Sequence, residues 1–195
     1  RPEVVMAADF KPSESETLRF LSFLPHKLRR ILMPFQQEGI RYAIEKNGRC
    51  LIADEMGLGK TLQALSVARY YKHDWPLLIV VPSSLKYPWI DEIEKWMPDV
   101  QPHEINLVHS SVDVNEISEA KITVVTYGLL QRPKSILLEA LMTQKFKVVI
   151  LDESHYIKNS KSIRAKCIVP IVKQAERRLL LSGTPALNRP EELYS

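Results

Sequence analysis

Asp54-Glu55-Met56-Gly57-Leu58-Gly59-Lys60-Thr61 is the stretch on which the reading of this chain turns. An apolar run, Cys50-Leu51-Ile52-Ala53, leads into it, and an amphipathic run from Leu62 to Tyr71 leads out. A strand, a glycine turn and a helix opening on Lys-Thr make a phosphate cradle. Successive backbone N–H groups turn inward, and the helix N-terminus adds a positive dipole. In that frame Asp54, Glu55, Met56, Gly57, Leu58 and Gly59 wrap the phosphates, Lys60 reaches the β- and γ-phosphates, and Thr61 offers its hydroxyl to Mg²⁺. The first glycine of the usual pattern is Asp54 here. The loop alone therefore leaves two readings: a nucleotide cradle, or a glycine turn with one exposed lysine.

Outward from the loop, strands and helices alternate. Strands are expected at Arg49–Ala53, Leu77–Val81, Ile105–His109, Ile122–Thr126, Lys147–Leu151 and Arg178–Leu181. Several are short, nearly continuous runs of Val, Ile and Leu, as in strands buried on both faces of a parallel sheet. Helices are expected at Thr61–Lys72, Leu85–Trp96, Leu129–Met142 and Ile163–Gln174, with Pro88 confined to the first turn of the second. A further helix begins at Pro34 and stops before Gly48. The alternation predicts an α/β, doubly wound parallel sheet, in which loops at the carboxyl ends of the strands form the ligand crevice. Residues 1–24 read as an arm or linker, and residues 25–195 as one domain.

Two further motifs sit at such strand ends. Lys147-Val148-Val149-Ile150-Leu151 runs into Asp152-Glu153-Ser154-His155. An apolar strand ending in two acids is a Walker-B arrangement: Asp152 holds Mg²⁺, and Glu153 orients and deprotonates the attacking water. Two solvated acids at a strand end would look the same in isolation. Arg178-Leu179-Leu180-Leu181 then runs into Ser182-Gly183-Thr184-Pro185, an ordinary turn or a sensor of the γ-phosphate side. The three motifs in this order, each behind a buried strand, are highly specific.

The bulk numbers are ordinary for a soluble globular protein. The chain has 195 residues, 45% hydrophobic and 26% charged, enough for one large domain. The run Leu18–Leu24, broken by Arg19 and Ser22, is far below the ~18–20 apolar residues that cross a bilayer and does not read as a signal peptide. A net charge of +4 permits nucleic-acid binding without requiring it. Cys50 and Cys167 lack metal spacing and adjoin apolar segments, which suits buried thiols in a reducing compartment. The chain starts at Arg1 rather than Met, as expected of a piece of a longer protein.

Asp-Glu-Met-Gly-Leu-Gly-Lys-Thr, Asp-Glu-Ser-His and Ser-Gly-Thr-Pro together resemble the helicase superfamily-two motors of the Swi/Snf-type DNA-dependent ATPases, a family that accepts Asp at the position of Asp54. The resemblance covers about residues 25–195. Leu32-Met33-Pro34-Phe35-Gln36-Gln37-Glu38-Gly39 is similar to the glutamine motif, with Gln36 in the adenine-reading place. Val80-Val81-Pro82-Ser83-Ser84-Leu85 and Val125-Thr126-Tyr127 look like motifs Ia and Ib, which face DNA. Trp75-Pro76-Leu77-Leu78-Ile79, Asn47-Gly48-Arg49-Cys50, the serine in Asp-Glu-Ser-His and Pro185–Leu193 resemble the annealing-helicase branch.

That resemblance implies a RecA-like first motor lobe, the fold of P-loop NTPases, that uses ATP and Mg²⁺. Lys60, Asp152 and Glu153 would be catalytic, with Thr61 and Asp152 as metal ligands. His155, Ser182, Gly183 and Thr184 would couple nucleotide state to nucleic acid. Ser83, Ser84, Lys86, Thr126, Tyr127 and Lys158 would face the backbone of branched or fork-like DNA, although Lys86 and Lys158 read equally as solvated surface. Trp89 and Trp96 share one helix and read as core or interlobe packing. Arg164, Lys166, Lys173, Arg177 and Arg178 read as a phosphate track or a solvated helix face. The implied partners are a second RecA-like lobe of the full-length chain and replication-clamp proteins, with no membrane, and the implied location is the nucleus. Three rival readings stand beside this one: a chromatin-remodelling translocase, a non-catalytic nucleotide-gated interaction module, and an unrelated kinase.

Overall fold

The structure is a computed structural model and describes residues 4–5, 19, 21–53, 59–157, 159 and 161–183. Asp54, Glu55, Met56, Gly57, Leu58, Lys158, Thr184 and the Pro185–Leu193 segment therefore lie outside the described residues.

Among the described residues, seven strands build one sheet: β1 (Val4–Val5), β2 (Arg49–Ala53), β3 (Leu77–Val81), β4 (Ile105–Leu107), β5 (Ile122–Thr126), β6 (Val148–Leu151) and β7 (Arg177–Ser182). Their order is β1-β2-β7-β6-β3-β5-β4, and every pairing is parallel. The helices are α1 (His26–Ile31), α2 (Pro34–Glu45), α3 (Lys60–Tyr70), α4 (Lys86–Trp96), α5 (Ile136–Gln144) and α6 (Ile163–Gln174).

Continuous apolar strands follow from having two buried faces. In β3, Leu77, Ile79 and Val81 pack with Leu28, Ile40, Leu65 and Ile93 of α1, α2, α3 and α4. The alternate residues Leu78 and Val80 pack on the other face with Leu137 and Leu141 of α5 and with Cys167 and Ile168 of α6. Successive side chains of a strand point to opposite faces, so neither face tolerates a polar alternate. The sheet sandwiched between two helical layers is the expected doubly wound α/β fold.

Local chemistry sets the element ends. Pro34 opens α2, and the Met33 N–H donates to Gln36 Oε1 at 2.8 Å, a capping arrangement in which Gln36 holds its own helix start. Pro88 sits in the first turn of α4, where its missing N–H costs nothing. The helix expected at Leu129–Met142 starts later. Tyr127–Leu129 is a short 3₁₀ turn, and α5 begins at Ile136. Pro133 disfavours helix at the residue before it, and Ser135 Oγ accepts the Leu138 N–H at 3.1 Å as an N-cap. β4 ends at Leu107 rather than His109, whose N–H is taken by Asp113 Oδ2 at 2.9 Å. Upstream of Pro25, Leu21 and Leu24 are already buried in the core, and Val4–Val5 pairs with Leu51 and Ile52 at the sheet edge. No helix among the described residues is long and apolar enough to cross a membrane.

Candidate active site

Gly59 caps α3 with φ 94°, a left-handed conformation that L side chains avoid. A Cβ there would also collide with Gln36 Nε2. Lack of a side chain thus lets the end of the loop turn inward and touch the glutamine motif. Lys60, the first residue of α3, is 4% exposed, and Thr61 beside it is half-buried.

Asp152 and Glu153 leave β6 in a tight turn. Glu153 takes φ 48°, which for a non-glycine residue stores strain of order 1–3 kcal/mol, of the kind concentrated at functional sites. Its carboxylate stands between Lys60 and His155: Lys60 Nζ lies 3.5 Å from Oε1, and His155 Nδ1 lies 3.2 Å from Oε2. Asp152 is 5% exposed and held at every polar group. Trp89 Nε1 donates to Oδ2 at 2.8 Å, and the Glu153 N–H donates to Oδ1 at 2.8 Å. The Tyr127 hydroxyl donates to the Asp152 carbonyl at 2.6 Å, and the Asp152 N–H donates to Val80 O at 2.9 Å. Burial pushes the Asp152 carboxyl above the ordinary carboxylate range, while the Trp89 indole and the Glu153 N–H pull it back.

The third motif closes the site. Ser182 is buried opposite Ala53 at the carboxyl end of β7. A Cβ on Gly183 would lie 3.4 Å from Lys60 Nζ and 3.9 Å from Glu153 Oε1. Lys60, Glu153 and Gly183 follow three different strands, with Lys60 and Glu153 lying 93 residues apart in sequence, yet share one small volume. The adjacency β2-β7-β6 brings them there. The donor set suits a hard cation. Thr61 and Asp152 offer oxygen, and no group of three or more His, Cys, Asp or Glu among the described residues could hold a metal alone. Mg²⁺ binds in this manner, through one or two carboxylates plus substrate phosphates.

Two expected DNA-facing residues, Tyr127 and Thr126, are buried in this structure. Tyr127 is 1% exposed, and its hydroxyl is spent on the Asp152 carbonyl. Its ring stacks on Tyr156 at 5.2 Å, and the Arg164 guanidinium lies 5.7 Å from the Tyr127 centroid. Thr126 is buried too. Both sit inside because β5 is a central strand whose last residue still packs against the core. Ser83 and Ser84 are exposed in the 3₁₀ turn before α4, and Lys86 is half-buried with its ammonium 5.2 Å from the Tyr87 ring centroid. Arg177 and Arg178 do not form a phosphate track with the site. They start β7, at the end of the sheet opposite the motifs. Arg178 is buried and donates to Ala175 O and Lys173 O, and Arg177 donates to Asn47 O and stacks over Tyr71 at 4.3 Å. Trp89 is the functional contact missed by sequence reasoning. A buried indole N–H needs a partner, but spacing along one helix does not say which.

The profile described as SNF2-related domain matches residues 35–195. The chain belongs to the SNF2-related family. Within it, the chain is 56% identical over 93% of its length to the DNA annealing helicase and endonuclease ZRANB3 of Bos taurus, and 55% to that of Homo sapiens. It is 42% identical over 90% of its length to the SWI/SNF-related matrix-associated actin-dependent regulator of chromatin subfamily A-like protein 1 of Xenopus tropicalis. It spans only 17% of the first two relatives and 18% of the third. Among solved structures, the Sulfolobus solfataricus SWI2/SNF2 ATPase core in complex with dsDNA superposes with a TM-score of 0.67 at 27% identity, covering 84% of this chain and 35% of that one. The SNF2-related chain therefore has the RecA-like fold, and its resemblance to the annealing-helicase branch holds at the level of sequence.

Proposed function

We propose that this chain is the ATP-binding lobe of a nuclear, DNA-dependent ATPase motor that rewinds strands and remodels stalled replication forks. The observation that carries the catalytic half is the convergence of Lys60 Nζ, the Glu153 carboxylate and the Gly183 backbone in one volume. The strand-rewinding half is supported by the 55–56% identity to DNA annealing helicases, and the DNA half by the dsDNA-bound structural neighbour.

In this reading the phosphates lie on the loop Asp54–Gly59, and the buried Lys60 ammonium neutralises charge on the β and γ oxygens. Thr61 and Asp152 hold Mg²⁺, which when bound offsets the phosphate charge. Glu153 orients the attacking water and takes its proton. His155, 3.2 Å from the same carboxylate, would relay the state of the site toward nucleic acid with Ser182 and Thr184. Gln36 reads adenine; its Oε1 caps α2, so the Nε2 end is the one that faces the loop at Gly59. Ser83, Ser84, Lys86 and Lys158 remain the proposed backbone contacts to branched DNA. A second RecA-like lobe would supply the arginines that complete the transition state, and replication-clamp proteins would bind elsewhere on the full-length protein.

The test is Glu153→Gln in the full-length protein. Fork-DNA-stimulated ATP hydrolysis should fall by about 10²–10⁴-fold while nucleotide binding persists. Unchanged hydrolysis would sink the enzymatic reading and leave the nucleotide-gated interaction module. Nucleosome sliding without fork rewinding by the active protein would instead make it a chromatin-remodelling translocase.

A further inference from the structure

Trp89 has no part in the chemistry just proposed, yet it makes the only side-chain contact to the Asp152 carboxylate seen among the described residues. It sits one turn into α4 and is 2% exposed. Its Nε1 lies 2.8 Å from Asp152 Oδ2, across 63 residues of sequence. The Glu153 N–H on Oδ1 comes from the same turn as Asp152 and moves with it. Tyr127 and Val80 hold the Asp152 main chain. Among the described residues, the indole is the hydrogen-bond donor that ties the carboxylate to a separate element.

We propose that Trp89 is a positioning residue. Its indole N–H aims the Asp152 carboxylate at the Mg²⁺ of the nucleotide complex and ties that carboxylate to α4. The inference rests on the nucleotide reading of the site. Its physical basis is that a hydrogen-bonded ligand keeps one orientation, and outer partners of metal ligands set metal affinity for that reason. Because α4 follows directly on the exposed turn with Ser83 and Ser84, a displacement of that turn would reach the carboxylate through one rigid helix. An indole that merely filled the core would share the burial but not the dependence on its N–H.

The experiment compares wild-type full-length protein with Trp89→Phe and with a form in which benzothiophene replaces the Trp89 indole, keeping the ring shape without the N–H. Two quantities are read: the Mg²⁺ concentration for half-maximal DNA-stimulated hydrolysis, and the affinity for a fluorescent ATP analogue in excess EDTA. Both replacements should raise the Mg²⁺ midpoint by about tenfold or more and leave metal-free nucleotide affinity within about twofold. An unchanged Mg²⁺ midpoint in the benzothiophene form overturns the Trp89 role. So does an equal loss of metal-free nucleotide binding, which would signal a packing defect. Thermal unfolding identifies a misfolded Phe variant, and the isostere then decides. A wild-type protein that neither binds nor hydrolyses ATP would overturn the reading of the whole site, whereas wild-type turnover with an unmoved midpoint overturns only the inference about Trp89.

Discussion

Gly183 has no side chain at the point where a methyl group would lie 3.4 Å from Lys60 Nζ and 3.9 Å from Glu153 Oε1. These are ordinary contact distances, so Gly183→Ala should fold with a stability change within about 0.5 kcal/mol. The methyl would nonetheless stand beside the cation and the base, in space that the reacting groups of a bound substrate would use. Turnover should drop by about 10²-fold, because displacement of a reacting group by an ångström has that order of effect. Comparing denaturant midpoints with steady-state ATPase rates of the full-length protein checks this; a large loss of stability would contradict it. Gly59→Ala should behave differently. At φ 94° and against Gln36, it should lose about 1–2 kcal/mol from backbone strain alone, read by chemical denaturation. Cys50 is a third residue-scale case. Burial pushes its thiol up to about 12, so it should resist a thiol reagent at pH 8 in the folded protein and react only on unfolding.

At the scale of elements, most boundaries follow from single residues. α6 spans Ile163–Gln174 as its pattern predicts, capped by Ser162 Oγ on the Ala165 N–H at 3.1 Å. The helix expected from Leu129 starts only at Ile136, because Pro133 disfavours helix at Arg132 and Ser135 caps the later start. Asp99, just past α4, shows what periodicity cannot reveal. It accepts from Arg69 Nη1 at the end of α3 and from Lys72 Nζ, each at 2.7 Å, and so staples the exits of two helices. The Arg69 hydrogen bond, followed by that of Lys72, holds its carboxyl well below the usual carboxylate range. Asp99→Asn should cost about 0.5–1 kcal/mol at pH 7, a small figure because the pair is partly exposed and screened. A depressed folded pKa gives stability that is fully present above the unfolded value of about 4 and fades as pH falls through the folded one. The gap between wild type and variant should therefore be constant from pH 5 to 8 and close only in strong acid, as pH-dependent urea unfolding would show.

At the scale of the molecule, the sheet order is what makes a site. Strands β2, β7 and β6 are neighbours, so their three motifs meet, while β3 and β5 place the turns before α4 and α5 farther along the same edge. In the proposed reading, this edge is one wall of a cleft that a second lobe would close. In related phosphoryl-transfer systems arginines brought from outside the nucleotide domain are worth ~10³–10⁵ in rate. Residues 1–195 expressed alone should therefore bind nucleotide weakly and hydrolyse it about 10³-fold slower than the full-length protein on fork DNA. Steady-state assays with and without a second-lobe fragment would measure this, and full-rate turnover by the lobe alone would contradict it.

By itself the sequence determined the fold class and the catalytic candidates, because buried parallel strands need unbroken Val, Ile and Leu, and phosphate chemistry needs Gly, Lys and paired acids at strand ends. The roles inside the site were decided by tertiary structure alone. Tyr127, expected to face DNA, donates to the Asp152 carbonyl, Arg178 is a buried donor at the carbonyl end of α6, and Trp89, expected to fill the core, donates to the Asp152 carboxylate. A hydrogen bond depends on where two distant groups are brought together. Residue type states only that a donor must find an acceptor; the meeting of α4 with the turn after β6 states which one.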